Sequence, residues 1–327
     1  MLISPELCGT FSRWGFFEVR EEGNPMTGPA DRYLRPVQRE STQRRYQGVL
    51  RYFEQGWGGC LPASGDTVVR YLAEHAEILS SSTLGLHLAA LAQWHHSHGF
   101  DDPTKSAKVR QVLRNIRAQH PRLVKQAEPL SLIALERCVA GLQQQIASDH
   151  PVARLRAYRD QALILMGFWR AFRADELCRL RVEHTTLCRG KQLEVFLGSS
   201  KTDREFRGQV VLLPALKLLC PVQAYEDWLS ISELQEGPVF RPINQWGQIS
   251  TQGLKPDGVT YVLREAFACS GLDGDAYTGH SLRRGFATWA NNDNWTTKQL
   301  MDYVGWRDVK SAMRYIDTTA PFGDLRR

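Results

Sequence analysis

The sequence predicts a mainly α protein in two domains, the second of them mostly helical with a small antiparallel β-sheet. Three observations carry that expectation. Apolar residues recur at helical spacing over most of the chain after Ser41. Two short runs, Gln192 to Leu197 and Gln209 to Leu213, alternate or stay apolar as paired strands do. Between the helical stretches, His120 to Pro129 holds two prolines, polar residues and a run of charge, the composition of an interdomain linker.

The chain has 327 residues, enough for two domains of ordinary size. Residues 1–36 carry Gly9, Gly15, Gly23, Pro25, Gly28, Pro29 and Pro36 with little periodicity, and read as a flexible extension in which Met26 is a second candidate start. Residues 37–120 form the helical domain: Tyr46, Leu50 and Phe53, then Val68, Leu72 and Leu79, keep helical spacing, with Ser41 and Thr42 available as caps. The pattern runs through Leu84 to Trp94, pauses at Gly99 to Pro103, and resumes from Ala107 to Gln119 with Val109, Val112, Leu113 and Ile116 as one apolar stripe. Residues 121–129 are the linker. In the domain at 130–327, helices are expected over Leu130 to Ile146 and Tyr158 to Trp169, then from Leu216, Val259, Ser281 and Thr297.

Apolar residues make up 43% and charged residues 23%, the balance of a globular chain rather than a disordered one. The net charge of +6 favours polyanionic partners, nucleic acid or an acidic membrane surface. The seven cysteines are odd in number and contain no CxxC pair, so neither a zinc site nor a disulfide framework is expected, and a reducing cytoplasm is. No apolar run approaches the roughly 18 residues of a membrane span. The histidines of Trp94-His95-His96-Ser97-His98 lack both the i, i+4 pairing and the nearby acids of a metal site. No metal or cofactor is expected.

The charge is placed unevenly. From Pro103 to Ala127 there are seven basic residues, Lys105, Lys108, Arg110, Arg114, Arg117, Arg122 and Lys125, and no acid. The plain alternative is a solvated basic helix face. A cationic stripe that continues into a linker is better explained by phosphate contacts, with Arg44 and Arg45 a second candidate DNA surface.

Four features in the second half are individually weak. Arg173, in Ala171-Phe172-Arg173-Ala174-Asp175-Glu176-Leu177, alone reads as a helix arginine paired with Glu176. Lys201, between the two strands, alone reads as an exposed turn lysine. In Thr278-Gly279-His280-Ser281-Leu282-Arg283-Arg284, His280 and Arg283 lie a helical turn apart, where they can share one anion. Last come Gly305-Trp306-Arg307-Asp308 and Tyr315, with Gly305 ending one helix and Asp308 capping the next.

In order and spacing, Arg173, Lys201, His280, Arg283, Trp306 and Tyr315 resemble the active-site set of the tyrosine recombinase (phage integrase) family: Arg, Lys, His-x-x-Arg, His or Trp, then Tyr. The first half resembles the family's helical core-binding domain, including Gly-Phe-Asp-Asp-Pro-Thr at 99–104. Two departures stand out. Trp306 occupies a position where most members carry His, and Ala171 and Phe172 occupy positions that are often Gly and Leu, a change that affects helix entry more than chemistry.

In-line attack on a phosphodiester builds negative charge at phosphorus, which fixed guanidinium groups can offset without a metal. Arg173 and Arg283 suit that task, with Glu176 in support. Tyr315, a phenol whose pKa is ordinarily about 10, must lose its proton as it attacks; His280 is the expected base and Lys201 the expected acid for the departing 5' oxygen. The resemblance implies a C-shaped DNA clamp, a 3'-phosphotyrosyl intermediate, a tetramer on double-stranded DNA bearing inverted repeats, accessory DNA-bending or partner recombinase proteins, and a bacterial, nucleoid-associated location. Two alternatives are strand relaxation of the type IB topoisomerase kind and a non-catalytic DNA-binding protein that kept the fold.

Overall fold

The computed structural model describes residues 40–122, 127–198 and 208–313. The expected extension at 1–36, together with Lys125, Lys201 and Tyr315, lies outside the described residues. The chain divides into two compact units on either side of Val124 and Lys125.

In the first unit all the secondary-structure elements among the described residues are helical. Helix α1 (Glu40–Arg51) runs into a π turn at Tyr52–Gly56, followed by α2 (Gly65–His75), α3 (Ser81–Ser97), a 3-10 turn at Pro103–Lys105 and α4 (Ala107–Gln119). A serine starts three of these helices: Ser64, Ser80 and Ser106 each accept the backbone N–H three residues on, at 3.1, 3.1 and 3.2 Å. Their apolar faces close on a core of Phe53, Val68, Leu72, Leu84, Leu91, Val109 and Ile116.

Beside that core sits a cluster of imidazoles and phenols, buried except for Tyr52 and each held by a hydrogen bond. The Tyr71 hydroxyl meets His87 Nδ1 at 2.5 Å, and the Tyr52 hydroxyl meets His75 Nε2 at 3.0 Å. Burial, and secondarily the neighbouring His75, pushes the His87 pKa below its ordinary value, so the ring is held neutral. His95 is equally committed: Nδ1 donates to the Leu91 carbonyl at 2.8 Å, and Nε2 accepts the Ala63 N–H at 2.9 Å.

In the second unit, α5 (Leu132–Ile146), α6 (Pro151–Trp169) and the short α7 (Ala174–Cys178) precede a three-stranded sheet. Strands β1 (Thr185–Cys188), β2 (Gln192–Leu197) and β3 (Gln209–Pro214) pair antiparallel in the order β1-β2-β3, with Val195 opposite both Thr185 and Val211. Helices α8 (Pro221–Ser232), α9 (Pro256–Cys269), α10 (Gly279–Asn292), α11 (Thr297–Val304) and α12 (Val309–Met313) follow. Helix α6 is the axis of the unit. Its run from Ala162 to Phe168 is buried on all sides, as a helix packed against α5, α8 and α10 must be. Gly167 permits the tightest of these approaches: a Cβ there would lie 2.6 Å from Leu282 of α10.

Several boundaries differ from the sequence expectation. The helix expected from Leu216 begins at Pro221 instead. Proline has no N–H to donate into a preceding turn and disfavours helical backbone at the residue before it, so 216–220 cannot join the helix, and Cys220 Sγ caps it by accepting the Gln223 N–H at 3.4 Å. Helix α6 starts at Pro151, seven residues before Tyr158, because proline is well suited to a first helical turn. Helix α5 starts at Leu132, since Ser131 is its cap and Leu130 N–H bonds the Ser281 carbonyl at 3.1 Å. Strand β1 was not anticipated; its four residues, Thr-Thr-Leu-Cys, are too few to show alternation.

Candidate active site

The site is built where the C-terminal end of α6 meets the end of α11. After Trp169 the chain leaves the helix through Ala171, whose φ of 52° is left-handed, and Arg173 then stands at the start of α7. The bend is reinforced by Glu176, which is only 5% exposed: its Oε2 accepts the Arg173 backbone N–H at 2.9 Å and its Oε1 accepts Arg173 Nη1 at 2.6 Å. One buried carboxylate thus fixes both the backbone and the guanidinium of Arg173.

Arg283 arrives from α10. It is 2% exposed and bridges two segments distant in sequence, donating from Nη1 to the Ala171 carbonyl at 2.6 Å and from Nη2 to the Val304 carbonyl at 3.3 Å. Helix α11 stops there because Gly305 takes φ of 72°, a conformation that glycine adopts without penalty. The turn delivers Trp306, 7% exposed, with its ring 5.2 Å from the Arg283 guanidinium, a cation–π distance.

A narrow cleft opens over this arrangement, lined by Arg170, Arg173, Glu176 and Arg283 and walled by Leu197, Gln209 and Val211 of the sheet. Three arginines against one carboxylate give the lining a net positive charge. Leu197 and Gln209 bracket in sequence the stretch that holds Lys201. His280 and Arg283 share α10 as expected but differ in setting: His280 is exposed in the first turn, while Arg283, one turn on, is buried. Lys201 and Tyr315 lie outside the described residues, so the structure brings together Arg173, Glu176, Arg283 and Trp306.

Arg170 was missed in the sequence. Its Nη1 donates to the Tyr303 carbonyl, its guanidinium lies 4.5 Å from the centre of the Tyr303 ring, and the Tyr303 hydroxyl donates back to the Trp169 carbonyl at 2.8 Å. Burial pushes the Arg170 pKa down, opposed by Tyr303 and Glu176, and burial pushes the Tyr303 phenol up, opposed by Arg170. The available signal was position: Arg170 is the first charge after the apolar run of α6 and stands three residues before Arg173.

The basic residues of the first unit are dispersed in role. Arg110, Arg114 and Arg117 are exposed on α4, and Arg44 and Arg45 are exposed on α1. Lys108 Nζ bonds Asp66 at 3.1 Å, Lys105 lies 3.9 Å from Asp102, and Arg122 donates to the Glu77 and Ile78 carbonyls. Part of the expected stripe therefore serves the protein itself, and the partners of Lys108 and Arg122 lie 42 to 45 residues away, where sequence spacing does not reveal them.

The profile of the phage integrase family matches residues 144–320. The chain belongs to that family, the tyrosine recombinases. It is 29% identical over 269 residues to the integrase/recombinase xerD homolog of Selenomonas ruminantium, covering 81% of this chain and 76% of that one. It is 25% identical over 271 residues to recombinase cre of Escherichia phage P1, covering 78% and 76%. Among solved structures, the Tn1549 transposon integrase in complex with transposon right end DNA is similar at a TM-score of 0.58 and 14% identity, covering 88% of this chain and 92% of that one. The XerH recombinase bound to difH substrate is similar at 0.56 and 17%, covering 87% and 79%. These structures share the fold, and the family is one of DNA recombination enzymes. Among the described residues, no helix is long and apolar enough to cross a membrane.

Proposed function

We propose that this protein is a site-specific DNA recombinase that cleaves and rejoins strands through a 3'-phosphotyrosyl bond to Tyr315, in the integration, excision or resolution of a mobile element. The observation that carries the reading is the convergence of Arg173 and Arg283 on one cleft, from residues 110 positions apart (283 − 173), each anchored by buried partners. A scissile phosphate seated there would meet two planar guanidinium groups. Each has five N–H donors, enough to be anchored to protein acceptors and still address non-bridging oxygens. Preorganised donors of this kind stabilise charge that develops at phosphorus, and each is worth about 2.7 to 4 kcal/mol.

Tyr315 follows the cleft-lining Gly305 by ten positions (315 − 305) and is assigned the attack. His280 accepts the phenolic proton, and Lys201 protonates the departing 5' oxygen. Trp306 covers the Arg283 guanidinium and cannot exchange a proton, so its role is to orient. Glu176 keeps Arg173 in place. No step needs a metal or a nucleotide, because the phosphotyrosyl bond conserves the energy that a 5' hydroxyl uses to reseal the strand. The partner is double-stranded DNA with inverted repeats, engaged by a tetramer in the cytoplasm of a bacterial cell, with accessory DNA-bending or partner recombinase proteins. Phosphate contacts outside the cleft come from Arg110, Arg114 and Arg117, with Lys105, Lys108, Arg122, Lys125, Arg44 and Arg45 as further candidates. The relatives' names favour recombination over strand relaxation.

The test is Tyr315→Phe on a nicked suicide duplex. The variant binds DNA as the wild type does and forms no denaturant-resistant adduct. An adduct with the Phe variant would remove Tyr315 from the reaction.

A further inference from the structure

Two backbone segments carry the cleft, 169–173 at the end of α6 and 303–306 at the end of α11, and two arginines stitch them together. Arg283 joins Ala171 to Val304. One residue back along each segment, Arg170 joins its own helix end to Tyr303, while Tyr303 returns a hydrogen bond to Trp169. The two clasps are consecutive, and the second segment continues directly into Trp306, which faces Arg283.

We infer that Arg170 is a positioning residue of the active site, setting where the 303–306 segment, and with it the Val304 carbonyl and the Trp306 ring, stands relative to Arg173 and Arg283. The inference rests on the proposed function for the reaction it serves. A surface arginine would not be arranged this way. The Arg170 guanidinium lies over the Tyr303 ring, and its buried Nε finds no hydrogen-bond acceptor among the described residues. Leaving a buried donor unmatched costs free energy, so the position is not explained by hydrogen bonding alone. What the side chain accomplishes is geometric: it spans two segments 133 residues apart at the rim of the cleft, where a displacement of about 1 Å costs roughly 100-fold in rate. The Arg283 bond to Val304, at 3.3 Å, is longer than its bond to Ala171, at 2.6 Å, so the Arg170 clasp adds a second hold on the same segment.

The experiment is single-turnover cleavage of a nicked suicide duplex at saturating DNA, using the full chain with Arg170→Met, Arg170→Lys and Tyr303→Phe. Arg170→Met should slow adduct formation by roughly 10- to 100-fold while leaving Kd and its salt dependence unchanged. Arg170→Lys should recover part of the rate, because an ammonium can still reach the Tyr303 carbonyl. Combined with Trp306→Phe, Arg170→Met should cost less than the product of the separate losses, since both disturb the same segment. A normal rate with a lowered Tm would overturn the inference and leave Arg170 as a stability residue. A salt slope lower by one contact would overturn it in favour of direct phosphate binding. If Arg170→Met does not fold, Tyr303→Phe, which loses only the bond to Trp169, carries the test: a wild-type single-turnover rate would count against the clasp. A wild type that forms no adduct at all fails the proposed function, whereas a wild type that cleaves beside an equally fast Arg170→Met fails only this inference.

Discussion

The two units bury polar groups in opposite ways. In the second, charge is withdrawn from water as charge: Glu176 and Arg283 are buried and Arg170 and Arg173 half-buried around one cleft, each guanidinium anchored to a carboxylate or a carbonyl. In the first, the buried polar groups include the rings of Tyr71, His75 and His87, the last held neutral by burial, while the guanidinium groups of α4 stay exposed. Burying ions is expensive unless their partners are fixed, so a protein tolerates it where a preorganised field is useful. Exposed cations interact through water, are screened by salt and suit long-range attraction to a polyanion. Chemistry is thus expected to fail when the buried cluster is altered, and only affinity when the exposed one is.

The largest effect should come from Arg283→Lys. Lysine keeps the charge but cannot bridge the Ala171 and Val304 carbonyls with one planar group. Single-turnover cleavage should fall by about 100-fold or more, and stability by about 1 to 3 kcal/mol for a carbonyl left unpaired. Cleavage within threefold of wild type would show that the buried cluster serves the fold alone, and the contrast between the units would collapse.

An intermediate effect is expected in the first unit. Tyr71→Phe removes the partner of His87 Nδ1, at a cost of about 1 to 3 kcal/mol in unfolding free energy, with no change in single-turnover rate at saturating DNA. The same cluster sets an acid response. Because the His87 pKa is lowered in the folded state, the unfolded chain takes up protons first as pH falls. The contribution of His87 is complete above the ordinary histidine pKa of about 6.5 and is lost as pH drops through its lowered folded value. Chemical unfolding between pH 7.5 and 5 should show stability falling, and less steeply in His87→Gln. Equal pH dependence in the two proteins would mean that other groups dominate.

Part of the second unit's cleft was legible in the sequence, and the reason is physical. Arg173, Arg283 and Trp306, which the structure brings together, advertise themselves through spacing and resemblance, and strands β2 and β3 through their apolar pattern. What could not be read is which backbone acceptors a long side chain finds. Arg170 and Arg122 both appear as ordinary basic residues, yet one holds the Tyr303 carbonyl across 133 residues and the other the Glu77 and Ile78 carbonyls. Lys108 counts toward a cationic stripe until Asp66, 42 residues earlier, is found beside it. Helix starts were misplaced where proline decided them, at Pro151 and Pro221, because apolar periodicity is blind to the first turn.

A smaller effect tests how the bend before Arg173 is held. Ala171 is fully buried with left-handed backbone, which costs an L-residue about 1 to 2 kcal/mol. Ala171→Gly relieves that strain, but it frees the unfolded chain by about 0.5 to 1 kcal/mol and removes a buried methyl worth about 0.8 kcal/mol. The terms nearly cancel, so stability should stay within about 1 kcal/mol and the cleavage rate within about twofold, since the carbonyl that takes Arg283 is retained. A large rate loss would mean that the methyl itself shapes the cleft.

The smallest effect on the folded protein, and the one that addresses the exposed side of the contrast, concerns α4. Arg114 and Arg117 are exposed and three residues apart, flanking the apolar stripe that carries the buried Val109 and Ile116. If each meets a phosphate, each contact releases counterions and contributes about 0.9 to the fall of log K with log salt. Arg114→Gln with Arg117→Gln should then flatten that slope by roughly 1.8 and weaken binding equally across sites, because phosphate contacts position while base contacts specify. Stability should not move, and neither should the single-turnover rate once DNA is saturating. A reordered preference among sites would mean that these arginines read base edges. If slope and ranking were both unchanged, α4 would be an ordinary solvated helix, and the DNA-facing side of the first unit would have to be sought on α1, where Arg44 and Arg45 are also exposed.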